Sequence, residues 1–155
     1  MTPSTRLAQR LALGIPALLL AGAYVSQFGF GLYPCEMCMW QRYAHFTALV
    51  FALVSTFAPP PRLWIALAAV TIAASGLIGA FHAGVEYGWW EGITSCAIPA
   101  SSGGNALEAI LNAPIVRCDV APWSLLGISL AGFNALFSIG GALGILGLLR
   151  EKVAA

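Results

Sequence analysis

Charge is what this sequence has least of. Seven Lys and Arg and six Asp and Glu make up 8% of 155 residues, where soluble domains carry about 25%. A water-soluble globule of this length could not cover its surface with so few. The small net charge of +1, with no basic cluster, excludes a nucleic-acid-binding role. Polar low-complexity sequence and strict heptad or Gly-X-Y periodicity are absent as well, which excludes disorder, coiled coil and collagen. Alternating polar and apolar residues are missing, so a membrane β-barrel is excluded too. What remains is 59% hydrophobic, the composition of an integral membrane protein.

The uncharged stretches are long. Between Arg10 and Glu36 lie 25 positions without a formal charge, between Arg42 and Arg62 19, between Arg62 and Glu86 23, and between Asp119 and Arg150 30. About 20 helical residues at about 1.5 Å each cross a hydrocarbon core of about 30 Å. The reading is one all-α membrane domain over residues 1–155, a four-transmembrane-helix bundle. Its helices are expected near 11–31, 41–58, 63–84 and 122–149, with outer loops at 32–40 and 85–121. Arg6, Arg10, the run from Leu11 and Ala21-Gly22-Ala23 resemble a signal peptide. The apolar run continues through Tyr24, Val25, Phe28 and Phe30, too far for a signal core, so the segment is read as helix 1.

Orientation follows from the basic residues near the helix ends. With the N-terminus cytoplasmic, Arg6, Arg10, Arg62, Arg150 and Lys152 lie inside, and Arg42 and Arg117 outside. Both termini are therefore expected in the cytoplasm, with the tight Pro59-Pro60-Pro61-Arg62 turn stopping helix 2 on the same side. Trp89, Trp90 and Trp123 then fall at the outer interface and Trp64 at the inner one. In the outer loop, Asn105 and Glu108 have capping-box spacing ahead of Leu107, Ile110 and Leu111. They predict a short helix lying on the membrane surface, joined through the flexible Ser101-Ser102-Gly103-Gly104 to the segment bearing Cys96.

This topology, derived without reference to cysteine, places Cys35, Cys38, Cys96 and Cys118 on the outer, oxidising side of a bacterial membrane. Cys35-Glu36-Met37-Cys38 is a C-x-x-C motif at a helix start, where the helix dipole stabilises a thiolate and favours exchange over a locked disulfide. The same spacing also forms half of a zinc site. At about 100° per residue, Cys35, Cys38, Arg42 and His45 share an arc of roughly 80°. Arg42 is expected about 10 Å along the helix from Cys35, deep enough to be costly unless it snorkels or serves a function. A guanidinium there would stabilise a thiolate or an anionic oxygen of a bound acceptor. His82, near the outer end of helix 3, and His45, one turn deeper than Arg42, are candidates for donating to such an oxygen or carrying a proton. Each also reads as an ordinary hydrogen-bonded histidine. Cys96 and Cys118 form a second pair that could pass electrons to the first. Spacing leaves all three connectivities open.

Pro34-Cys35-Glu36-Met37-Cys38-Met39-Trp40-Gln41-Arg42, the paired-cysteine outer loop, Arg117-Cys118-Asp119 and Pro122-Trp123-Ser124-Leu125-Leu126-Gly127 together resemble the disulfide bond formation protein B family, inner-membrane thiol:quinone oxidoreductases of bacteria. The resemblance covers nearly the whole chain. It implies that Cys96 forms the mixed disulfide with a soluble periplasmic thioredoxin-fold thiol oxidase, with Cys118 as its partner. Cys35 would exchange with that pair and Cys38 would face a membrane quinone, ubiquinone or menaquinone, whose oxygen Arg42 holds. His82 carries over weakly. Gln41 stands where some members carry an acid, so it is assigned no proton role. Vitamin K epoxide reductase relatives share helices, cysteine pairs and a quinone, but their C-x-x-C follows the loop cysteines. Other readings are a tetraspan protein with structural disulfides or a four-cysteine zinc site, against which the wide spacing of Cys96 and Cys118 argues. Gly140 and Gly144 in helix 4 give a small-xxx-small packing signal.

Overall fold

In the computed structural model, residues 1–94 and 116–150 are described. Among them are four helices: α1 (Pro3–Phe30), α2 (Glu36–Val54), α3 (Pro61–Glu86) and α4 (Leu130–Arg150). By length and apolarity α1, α3 and α4 can each cross a membrane. The shorter α2, which carries Glu36, Gln41, Arg42 and His45, is not among these. Cys96 and the expected surface helix around Asn105–Pro114 lie outside the described residues.

The helix boundaries differ from the expected ones for local reasons. Helix α1 begins at Pro3 rather than near residue 11, because the Thr2 hydroxyl accepts from the Thr5 N–H at 3.2 Å and proline occupies the first turn. Helix α2 begins at Glu36, since the Cys35 side chain itself caps it, and ends at Val54 instead of near residue 58. There the Ser55 hydroxyl donates to the Ala52 carbonyl at 2.6 Å and accepts from Gln9 at 2.9 Å, tying α2 to α1. Helix α4 starts at Leu130, eight residues later than expected. Before it a two-residue hairpin pairs Ser124–Leu125 with Ile128–Ser129. Its turn residues Leu126 and Gly127 both have positive φ, 52° and 80°, the conformation a tight hairpin turn demands.

Helix α3 is the centre of the bundle, packed chiefly against α4 and α2. At one end the core is Ala8, Ala12, Ala48, Ala52, Ile65, Ala68, Ala69, Ile72, Ala142 and Ile145. Small side chains let the helices approach closely where lipid offers no hydrophobic drive to hold them together. Helix α3 approaches α4 closely at Gly76 and Gly79; an added Cβ at Gly79 would lie 2.9 Å from the Ala131 carbonyl oxygen, and one at Gly76 would lie 2.8 Å from the Ile139 side chain. Gly140 and Gly144 do not serve that purpose. A Cβ at either would meet nothing within 4 Å, because that face of α4 points away from the bundle.

Candidate functional site

The opposite end of the bundle is organised around the C-x-x-C turn. Cys35 takes the N-cap position of α2 with extended backbone, and its sulfur accepts from the Cys38 N–H at 3.3 Å, as a serine or aspartate oxygen would. The first turn of helix then brings the two sulfurs 2.8 Å apart. The Cys35 thiol is pushed up to about 12, first by its hydrogen bond with Cys38 and then by burial. At Cys35 these two effects outweigh the pull of the helix N-terminus toward a thiolate. Cys118, from the segment before the hairpin, packs with Cys35, Met37 and Val85 in one buried cluster. The Thr94 hydroxyl donates to its sulfur at 3.2 Å, and burial pushes its thiol up. Three of the four predicted cysteines thus meet at one place, the fourth being Cys96.

His82 of α3 is the contact between the cysteines and the bundle interior. Its Nε2 lies 3.5 Å from Cys35 Sγ and 3.7 Å from Glu86 Oε1. Its Nδ1 lies 3.1 Å from Gln41 Nε2. The tautomer follows by elimination. Asn134 Nδ2 faces the Ser75 carbonyl, which can only accept, so this nitrogen donates, and it also donates to Gln41 Oε1 at 2.7 Å. Gln41 Nε2 therefore donates to the Met37 carbonyl and to His82 Nδ1. Neutral His82 carries its hydrogen on Nε2, facing Cys35 and Glu86.

The same network continues inward. His45 Nε2 donates to Asn134 Oδ1 at 2.8 Å and to Ser75 Oγ at 2.9 Å, since the Ser75 hydroxyl proton is committed to the Gln41 carbonyl. Ser138 donates to Asn134 Oδ1 at 3.0 Å. His45 Nδ1 is left as a buried acceptor without a partner among the described residues.

Arg42 is 7% exposed, so it does not snorkel to water. Its guanidinium donates to Gln27 Oε1 at 2.6 Å and the Ala23 carbonyl at 3.1 Å, and lies 4.8 Å from the centroid of the Tyr24 ring. Among the described residues its hydrogen bonds go to α1 rather than to the cysteines. It nevertheless lines a cavity of about 240 Å³ with Cys38, Gln41, His45, His82, Glu86 and Asn134, walled by Leu18, Leu19, Phe133 and Phe137. A second cavity of about 300 Å³ lies against Cys35, Val116, Arg117 and Val120. Cys38 and His82 line both cavities, whereas Cys35 lines only the second. The shared helical face predicted for Cys38, Arg42 and His45 is therefore present, with Cys35 turned to its other side.

Cys35, Cys38 and His82 also bring three metal-ligating atoms within 4.8 Å of one another. Among the described residues Cys118 is not part of this group, and Cys96, the fourth member of the four-cysteine arrangement considered from sequence, lies outside them. Gln27, Ser75, Asn134, Ser138 and Glu86 were not singled out by sequence reasoning. The available signal was a lone Asn in the uncharged stretch 120–149, which counting only formal charge passes over.

Comparison with known proteins agrees with this geometry. The family model for disulfide bond formation protein DsbB matches residues 5–148. The disulfide bond formation protein B of Azoarcus sp. (strain BH72) is 31% identical over 136 residues, 77% of this chain and 76% of that protein. Its namesake in Verminephrobacter eiseniae is 29% identical over 155 residues, 92% of this chain and 84% of that protein, and the one in Acidovorax sp. (strain JS42) is 28% identical over 144 residues, 86% and 80%. No solved structure matches. With a C-x-x-C pair at the start of α2, a third cysteine packed against it and a family match along nearly its whole length, this chain belongs to the disulfide bond formation protein B family.

Proposed function

We propose that the protein is a thiol:quinone oxidoreductase of the bacterial inner membrane that reoxidises a soluble periplasmic thioredoxin-fold dithiol oxidase. The chain crosses the bilayer four times with both termini cytoplasmic and its cysteines periplasmic. Arg6 and Arg10 before the core of α1, Arg62 at the start of α3 and Arg150 at the end of α4 support that orientation. The observation that carries the reading is the double exposure of Cys38, which lines a cavity among the helices and a second one beside the Cys118 segment.

Cys96 receives the partner's thiolate and Cys118 completes that pair. Cys35, packed with Cys118 and lining the second cavity, exchanges with it. Cys38 is the cysteine that faces the acceptor. The inner cavity fits a quinone ring: apolar side chains wall it, Arg42 offers a cation, His82 offers an N–H, and the unpartnered His45 Nδ1 offers an acceptor for a hydroxyl. A quinone supplies a lipid-soluble sink for two electrons and two protons. Gln41 and Asn134 hold His82 and His45 in the orientations that serve it.

The test adds a reduced periplasmic thioredoxin-fold dithiol protein to the detergent-solubilised protein and follows quinone absorbance, with ubiquinone and menaquinone analogues. Catalytic quinone loss that requires all four cysteines is expected. No turnover with either quinone and a cognate partner would leave the cysteines a structural role.

A further inference from the structure

One ionisable side chain in the inner cavity is left idle by this relay. Glu86, the last residue of α3, lines the cavity with Cys38 and Arg42, and its side chain is 2% exposed. Its two oxygens differ. Oε1 is 3.7 Å from His82 Nε2, whereas Oε2 is buried with no hydrogen-bond partner among the described residues.

The neighbouring titratable groups are engaged elsewhere. Arg42 is held by Gln27 and Ala23, His45 Nε2 by Asn134 and Ser75, Cys35 and Cys38 by each other, and Arg117 pairs with Asp119. The hydrogen-bond chain through Gln41 leaves neutral His82 with a hydrogen on Nε2, which faces Cys35 Sγ at 3.5 Å and Glu86 Oε1 at 3.7 Å. The Ser129 side chain is the nearest hydroxyl donor to this carboxyl, yet Oε2 has no hydrogen-bond partner among the described residues, and a buried oxygen left so is costly as a bare acceptor. As a hydroxyl it is a donor awaiting an acceptor in the cavity wall.

We propose that Glu86 holds a proton on Oε2 and delivers it to an oxygen of the quinone, acting as the acid of quinone reduction. The inference rests on the quinone reading above. In the balanced step, two S–H bonds break, the Cys35–Cys38 bond forms, and the electron pair passes to the quinone, giving the quinol. One proton comes from Cys38, which lines the same cavity. The other comes from Glu86, which the Cys35 thiol proton then reloads, with His82 lying between the two groups.

The experiment uses the full-length, pre-reduced protein in detergent, with short-chain ubiquinone and menaquinone analogues. Glu86→Gln is expected to slow single-turnover quinone reduction about 100-fold and to flatten its pH profile, while Glu86→Asp recovers at least about tenfold of the loss. Infrared spectra without quinone are expected to show the carbonyl stretch of a neutral carboxylic acid that Glu86→Gln removes. A wild-type rate and pH profile in Glu86→Gln, absence of that band, or equal loss of the dithiol-exchange half-reaction would each overturn the assignment. If the wild-type protein reduces no quinone, the quinone reading itself fails, and the infrared band still reports on the Glu86 proton alone.

Discussion

The two ends of this bundle are built on opposite principles, and the change occurs within single helices. The buried face of α2 runs from Met37, Gln41, Arg42 and His45 to Ala48 and Ala52. That of α3 runs the other way, from Ile65, Ala68, Ala69 and Ile72 to Ser75, Gly76, Gly79 and His82, and α4 passes from Asn134 and Ser138 to Ala142 and Ile145. The apolar end holds chiefly by close packing of small residues, with Gln9 and Ser55 the hydrogen-bonded tie between α1 and α2. At the cysteine end every helix contributes a hydrogen-bonding side chain, and two buried polar atoms, His45 Nδ1 and Glu86 Oε2, have no hydrogen-bond partner among the described residues. Leaving such atoms unsatisfied costs about 1–3 kcal/mol each. The apolar end offsets that cost, which places stability at one end and chemistry at the other.

The comparison breaks most sharply at Cys38. Cys38→Ser should abolish quinone reduction while unfolding like the wild type, and normal turnover would remove Cys38 from the relay. In Cys38→Ala, which has no side-chain hydrogen-bonding group, Cys35 loses the hydrogen bond that contributes most to its raised pKa, so more of it is thiolate at pH 8 and iodoacetamide should alkylate it faster. At the apolar end the effects invert. Ile65→Ala should cost about 2–5 kcal/mol of stability, read from thermal unfolding in detergent, with single-turnover quinone reduction unchanged in the folded fraction. Loss of redox chemistry in that variant would show the two ends to be one cooperative unit.

Asn134→Leu probes the boundary. It strands Gln41 Oε1 and leaves the His45 N–H with Ser75 as its remaining partner, so a stability loss of about 1–3 kcal/mol is expected. Slower quinone reduction should accompany it, because Gln41 no longer fixes the His82 tautomer. Arg42→Ala should leave stability closer to wild type and raise the quinone concentration needed for half-maximal rate about tenfold, equal to about 1.4 kcal/mol of binding. Unchanged quinone dependence would reduce Arg42 to a tether between α2 and α1.

Sequence made the redox end legible through its rare residue types. Cysteine, arginine and histidine stand out in an 8% charged chain, and helical spacing placed Cys38, Arg42 and His45 on one face correctly. The partners of Arg42 and the tautomer of His82 were not legible, because Gln27, Gln41 and Asn134 come from three different helices and meet only through packing. Helix limits failed where capping is local. A cysteine sulfur acts as the cap of α2, and a hairpin with a non-glycine residue at positive φ precedes α4; hydropathy registers neither.

The smallest expected effect tests which glycines hold the bundle together. Spacing marked Gly140 and Gly144 as a packing pair, yet both face open space, while Gly79 sits against the backbone of α4. Gly79→Ala must push the Ala131 carbonyl away and should cost about 1–3 kcal/mol. It should also disturb Asn134, whose Nδ2 would lie 3.0 Å from the new Cβ. Gly144→Ala meets nothing and replaces a poor helix former with the best one, so it should be neutral or stabilise by up to about 1 kcal/mol. Thermal unfolding of the two single variants and the double variant decides the matter. Additive effects would follow from separate surfaces. A destabilised Gly144→Ala would instead mean that the outward face of α4 is packed against something in the membrane, the nearest source being a second copy of this chain.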